Sequence, residues 1–155
     1  MKTVSNTRPP IAIYILSTLQ FLLGLGGIYG GLHFLTDPTG ASLGTDLSYL
    51  ANSPFADYFV PGLMLFFVMG LVPIMLSVSL FLRQDWLPFE FLNLFPNHRW
   101  EWAWSLYLAI ALIIWMDVQV LMIGYRMPIQ SIYAFYGVAL LVLTLWPGVE
   151  RWCRR

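Results

Sequence analysis

The sequence contains little charge and only one cysteine. Asp, Glu, Lys and Arg make up 10% of its 155 residues, whereas soluble domains carry about 25%. The eight basic residues equal the eight acidic ones in number and are scattered along the chain, so a nucleic-acid partner is not expected. Cys153 stands alone, which excludes an intramolecular disulfide, a CxxC redox pair and a thiolate metal site. We expect Cys153 to be a bystander at the surface.

Motifs for catalysis and cofactor binding are also missing. The sequence has no glycine-rich phosphate loop, no nucleophile elbow and no pair of carboxylates on one helix face. No catalytic residue, metal site or cofactor is therefore expected, and nothing in the sequence supports an enzyme.

Long apolar stretches are abundant instead. Hydrophobic residues make up 59% of the chain, and four stretches reach the roughly 20 residues that a helix needs to cross about 30 Å of hydrocarbon. They cover about 10–32, 60–82, 103–125 and 128–147. The first is too long for a signal peptide and lacks a cleavage signal, so we expect it to be retained. We predict an all-α integral membrane protein with one domain, 1–155, folded as an antiparallel four-transmembrane-helix bundle.

The basic residues predict the orientation of this bundle. Cytoplasmic loops of membrane proteins are enriched in Lys and Arg. Arg126 alone falls between spans three and four, whereas the other seven fall on the opposite side: Lys2, Arg8, Arg83, Arg99, Arg151, Arg154 and Arg155. Both termini should therefore be cytoplasmic, with the chain in the cell inner (plasma) membrane. His33 and His98 then lie on opposite sides and cannot share a metal site.

Two segments between the spans have features of their own. The outer loop has a turn signature at 37–40, and apolar residues at helical spacing in 45–54 predict a short outer-loop helix. The inner loop contains the aromatic segment WLPFEFLNLF, 86–95. Aromatic side chains favour the membrane interface, so we expect an inner interfacial segment. A contact surface for a partner is the alternative. The acids Asp85, Glu90 and Glu101 of this loop should be solvated.

Asp117 is the one acid inside a predicted span. An ionised carboxylate at membrane depth costs several kcal/mol unless it is paired, hydrated or protonated, and such residues normally face the bundle interior. We therefore expect Asp117 to face inward, with Tyr136 as its hydrogen-bond donor. Counting residues along the other spans places three glycines at its level: Gly24, Gly70 and Gly137.

Other polar side chains near the outer ends of the spans form a candidate pocket above Asp117. Gln119, Tyr133 and His33 are candidates for its wall. A structural polar network without any ligand is the alternative interpretation.

Glycines are concentrated in the first span, in the stretch GLGGIYGG. Gly26 and Gly30 form one small-xxx-small pair, and Gly27 and Gly31 form another, a spacing that lets helices approach closely in lipid. Packing within the chain, an oligomer interface and a gating hinge are the three interpretations.

The first half of the chain resembles the DoxX-like small bacterial four-helix membrane proteins. The likeness lies in the glycine-rich first span (Gly24, Gly26, Gly27), the following Leu35-Thr36-Asp37-Pro38 stretch, the long outer segment and the Pro61-Gly62 start of the second span. The resemblance implies an accessory role in a membrane redox assembly. No functional residue is carried over.

Two functions remain open at this point. The first is an accessory or structural membrane protein, a small subunit that packs against a larger membrane complex or forms a homo-oligomer in the lipid bilayer. The alternative is a binder or transporter of a small lipophilic molecule, with Asp117 at the base of an outward-facing pocket.

Overall fold

A computed structural model describes residues 8–83 and 87–155 of the chain. Three residues used in the predictions of orientation and of the inner loop lie outside the described residues: Lys2, Asp85 and Trp86. Within those two ranges all regular secondary structure is helical, so the predicted all-α class is confirmed.

Three helical stretches are long and apolar enough to cross a membrane. The first is helix α1, Ile11–Thr36. The second joins α2, Phe59–Phe66, through a π-helical segment, Phe67–Leu71, to α3, Val72–Leu82. A short helix α4, Leu87–Glu90, precedes the third, α5, Trp100–Ile123.

A fourth span depends on how a bent pair of helices is counted. Helix α6 covers Pro128–Thr144 and α7 covers Pro147–Cys153, with a bend of 61° between them. Pro147 lacks the N–H that a continuing helix would need, which explains the break. The described chain therefore has three apolar spans, or four if α6 and α7 count as one.

The remaining segments are short. Between α1 and α2 lie two 3₁₀ segments, Ala41–Leu43 and Leu47–Leu50. We call the end of the molecule with 37–58 and 124–127 the loop end, and the opposite end, with α4 and α7, the tail end.

The glycines of α1 bring it against α2 and α3 within the chain. A Cβ at Gly27 would collide with the backbone of Met69 and Gly70, and one at Gly31 would lie 2.7 Å from Phe66 Cα. A Cβ added at Gly24 would lie 2.8 Å from the carbonyl oxygen of Gly70. Backbones approach this closely only where side chains are missing.

Pro73 accounts for the π-helical segment that these glycines contact. A proline cannot donate to the carbonyl four residues earlier, which here is Met69. The helix accommodates this with a wider turn, in which the Val72 N–H donates to the Phe67 carbonyl five residues back. Such π-bulges occur mostly as single turns and often at functional sites.

The tail end differs from the sequence-based predictions at two residues. Glu101 is only 1% exposed, and the Arg99 guanidinium donates to its Oε1 at 2.9 Å, so the predicted solvation of Glu101 is wrong. Cys153 is 2% exposed because the C-terminal segment folds back, with the Arg99 N–H donating to the Cys153 carbonyl at 2.8 Å. It is therefore buried and not a surface bystander.

Aromatic side chains hold α4, and with it the segment that follows, against α5. The Trp104 indole donates to the Phe89 carbonyl at 3.0 Å, and the Phe89 ring stacks on Trp100 at 5.1 Å. Phe91 and Leu94 are 88% and 78% exposed. One side of this segment therefore packs on the helices and the other side is open.

Candidate functional site

A cavity of about 400 Å³ lies at the loop end between α1, α2, α5 and the start of α6. It extends from Leu23 to Phe34 along α1 and from Leu112 to Ile123 along α5. Each stretch is about 16 Å long at 1.5 Å per residue. The cavity is therefore elongated along the helix axes, and its volume falls within the roughly 300–1,000 Å³ of small-molecule sites.

The walls of the cavity are mainly apolar. The part of the wall formed by α1 has no side chains at three positions, Gly26, Gly27 and Gly30. A Cβ added at Gly26 would lie 3.0 Å from the Tyr133 hydroxyl. The other apolar side chains on its walls include Leu23, Leu65, Met69, Leu112, Met116 and Met122. Among the described residues, no Asp or Glu lines the cavity. An uncharged, lipophilic guest suits such walls.

A small number of polar groups also reach the cavity. The Trp115 indole Nε1 is buried and has no hydrogen-bond partner in the described part of the chain. The side chains of Gln119 and Tyr133 line the same space, and neither forms a hydrogen bond within 8–83 and 87–155. A buried donor without a partner costs about 1–3 kcal/mol. Because the Trp115 N–H has almost no accessible surface, a guest with an oxygen atom would hydrogen-bond to Tyr133 or Gln119 instead.

Two further polar residues at the loop end are already engaged. Gln130 Oε1 accepts from the Arg126 N–H at 2.8 Å, and its Nε2 donates to the Gly124 carbonyl at 3.2 Å. The Arg126 Nε donates to the Ile123 carbonyl at 2.9 Å, and its guanidinium lies 5.2 Å from the Tyr49 ring centre. These contacts fix the turn between α5 and α6.

Residues 37–58 cover the cavity and are held by their own hydrogen bonds. Asp37 accepts from the Thr39 hydroxyl at 2.6 Å and from the Ser42 N–H at 2.8 Å. The hydrogen bond from Thr39, followed by that from Ser42, lowers the pKa of Asp37 below its usual range. These hydrogen bonds therefore give the cover a defined conformation of its own.

Tyr58 anchors the cover to the helices. Its hydroxyl donates to the Asp46 carbonyl at 2.9 Å, its N–H donates to the Pro38 carbonyl at 2.9 Å, and its ring stacks on Phe34 at 4.7 Å. Burial raises the pKa of the Tyr58 hydroxyl. Tyr58 therefore ties two separate parts of the cover to the end of α1.

Asp117 does not take part in this cavity. It lies on the exposed face of α5 with Ile114 and Leu121, which are 55% and 85% exposed. The Tyr136 hydroxyl donates instead to the Leu19 carbonyl at 2.6 Å. The predicted inward position of Asp117 and its hydrogen bond to Tyr136 are both wrong, because the buried face of α5 carries Leu108, Leu112 and Met116.

Only some of the other predicted site residues lie at the cavity. Gln119 and Tyr133 line the cavity, whereas the His33 ring packs on Tyr29 at 4.5 Å and is not part of the described lining. Gly137 packs against Ala109 and Ile113, about one turn before Asp117 on α5. The predicted ring of three glycines around Asp117 is therefore not formed. Their contacts are helix–helix contacts.

Two cavity residues could have been found from the sequence. Trp115 lies four residues before Gln119 on α5, so the two share a helix face. Met69 lies four residues before Pro73, where a distorted turn is expected. Tyr49 and Tyr58 come from the loop, and no sequence pattern places them over the helices.

Comparisons with protein-family models, with curated proteins and with solved structures find no match to this chain. Within 8–83 and 87–155, no group of three or more His, Cys, Asp or Glu residues could hold a metal ion. The candidate site is therefore defined by its geometry alone.

Proposed function

We propose that the chain is an integral membrane protein that binds a small lipophilic molecule in the loop-end cavity. In this proposal α1, α2–α3, α5 and α6 form an antiparallel four-span bundle with both termini cytoplasmic, and the cavity opens toward the outer leaflet. The observation that carries the proposal is an apolar space of about 400 Å³ under a loop cover, whose wall contains the Gln119 amide and the Tyr133 hydroxyl, both without a hydrogen bond among the described residues.

The lining indicates the class of ligand. The cavity is about 16 Å long, which favours an elongated molecule such as a fatty or isoprenoid alcohol over a compact one. The Tyr133 hydroxyl and the Gln119 amide, which have no hydrogen bond among the described residues, favour a ligand with a hydroxyl, carbonyl or ester oxygen. A cationic ligand is disfavoured, because the described lining contains Arg126 and no carboxylate.

Photolabelling tests this function. The chain is placed in lipid nanodiscs and exposed to a diazirine-bearing analogue of 1-dodecanol, and the labelled peptides are mapped by mass spectrometry. We expect labels around Met69 in the second span and around Met116 in α5. Gly26→Leu places a side chain in the cavity, and a clash of about 1.4 kcal/mol would reduce labelling about tenfold.

The matched control is Leu25→Phe, which adds bulk on the neighbouring exposed position of α1. It should label like the unmodified chain. Equal labelling of Gly26→Leu and Leu25→Phe, or labels only on exposed faces, would show that the probe reports surrounding lipid and would contradict the proposal.

The accessory role in a larger complex and the DoxX-like resemblance stay predictions. The exposed face around Asp117 bears on the first of them.

A further inference from the structure

Helix α5 has an exposed apolar stripe that contains one acid. The members of the stripe follow one another at helical spacing and therefore share one helix face: Ile110, Ile114, Asp117 and Leu121. The three apolar members are 41%, 55% and 85% exposed. Only 22% of the most apolar part of α5 is buried, against 39% in each of the other two long spans. Within its most apolar stretch, α5 is therefore less covered by the described chain than the other two long spans are in theirs.

Asp117 has no partner within 8–83 and 87–155. No hydrogen bond or ion pair joins it to those residues. It lies six residues before the end of α5 at Ile123, or about 9 Å along the axis. If a hydrocarbon layer about 30 Å thick is centred on α5, which is about 36 Å long, this position lies inside the apolar layer.

The described part of the chain supplies no charge to balance Asp117. The next basic residue along the chain, Arg126, lies beyond the end of α5 at Ile123, and it already contacts the Ile123 carbonyl and the Tyr49 ring. Ionisable groups at membrane depth normally pair with one another or face a protein interior. An ion-pair partner for Asp117 would therefore have to come from another molecule.

We propose that this stripe is a docking surface for a membrane helix of another protein that carries Lys or Arg at the depth of Asp117. A second copy of this chain fits less well, because a two-fold axis along the membrane normal would bring two carboxylates to the same depth, where like charges repel. The docking surface is independent of the cavity, since Asp117 lies on the exposed face of α5 and the cavity residue Met116 on the buried one.

Site-specific crosslinking in native membranes tests this surface. The full chain carries photoreactive benzoylphenylalanine in place of Leu121, or in place of Leu22 on the exposed face of α1 as the control. We expect one discrete adduct from position 121 and none from position 22. Its crosslinked peptide should come from a membrane helix that contains Lys or Arg.

The effect of the Asp117 charge on the yield of the crosslinked adduct distinguishes docking from chance proximity. Asp117→Asn should reduce the adduct about tenfold, as expected for loss of a charged hydrogen bond, whereas Asp117→Glu should retain it. Thermal unfolding of the purified variants should be unchanged, since Asp117 touches no described residue through a polar contact. An adduct between two copies, an adduct that survives Asp117→Asn, or lipid adducts alone would each overturn the proposal.

Discussion

Glu101 brings a carboxylate into the interior of the tail end. It is 1% exposed, its Oε1 accepts from Arg99 at 2.9 Å, and its Oε2 has no hydrogen bond within the described residues. Removing one member of a buried ion pair leaves an uncompensated charge, which costs more than replacing both members. The Arg99–Glu101 pair should therefore be sensitive to single substitutions.

Arg99→Met should lower the free energy of unfolding by about 3 kcal/mol, because it leaves the Glu101 carboxylate buried without a cation. The double variant Arg99→Met/Glu101→Gln should lose less, since no charge remains. Chemical unfolding in detergent micelles measures both. If the double variant were the less stable of the two, the interaction would not be electrostatic.

At the scale of helices, the glycines of α1 determine how closely it packs. Gly27 lies against the backbone of Met69 and Gly70, whereas Gly30 lies against the side-chain end of Leu65, where an added Cβ would be 2.9 Å from Leu65 Cδ2. A backbone cannot move aside, but a leucine side chain can rotate. The two glycines are therefore not equivalent, although they lie in one sequence motif.

Gly27→Ala should destabilise the protein by about 1–3 kcal/mol, the usual cost of overpacking. Gly30→Ala should be neutral or slightly stabilising, because Leu65 can adjust and alanine favours the helix by about 1 kcal/mol. Melting temperatures of both variants in the same detergent provide the comparison. Equal losses would show that α1 does not rest on the π-helical segment as described.

The helices can be predicted from the sequence, but the directions in which their faces point cannot. Apolar runs of about 20 residues identify α1, α2–α3 and α5, because a helix of that length matches the thickness of a hydrocarbon layer. The sequence predicts the wrong side for Asp117 because α5 is apolar all round, so no hydrophobic face distinguishes inside from outside. The buried polar contact from Gln20 Nε2 to Ser105 Oγ at 2.8 Å orients α5 instead. Only the three-dimensional packing shows that pair.

For the molecule as a whole, the two ends are built differently. The tail end is closed by the Arg99–Glu101 pair and by the C-terminal segment, where the Arg155 N–H donates to the Asn97 carbonyl at 3.0 Å. The loop end contains the cavity, which lies under a cover tied down at Asp37 and Tyr58. In the proposed function a lipophilic guest would be held at the loop end, beside Trp115 and Tyr133.

The indole N–H resonance of Trp115 tests this central claim most directly. In nanodiscs with ¹⁵N-labelled tryptophan, addition of 1-dodecanol should move the Trp115 indole resonance, because this ring lines the cavity that the alcohol fills. The indoles of Trp102 and Trp104 already donate to the Thr144 and Phe89 carbonyls, so their resonances should stay in place. A Trp115 resonance that does not move at saturating 1-dodecanol, or one that moves together with those of Trp102 and Trp104, would contradict a ligand in the cavity.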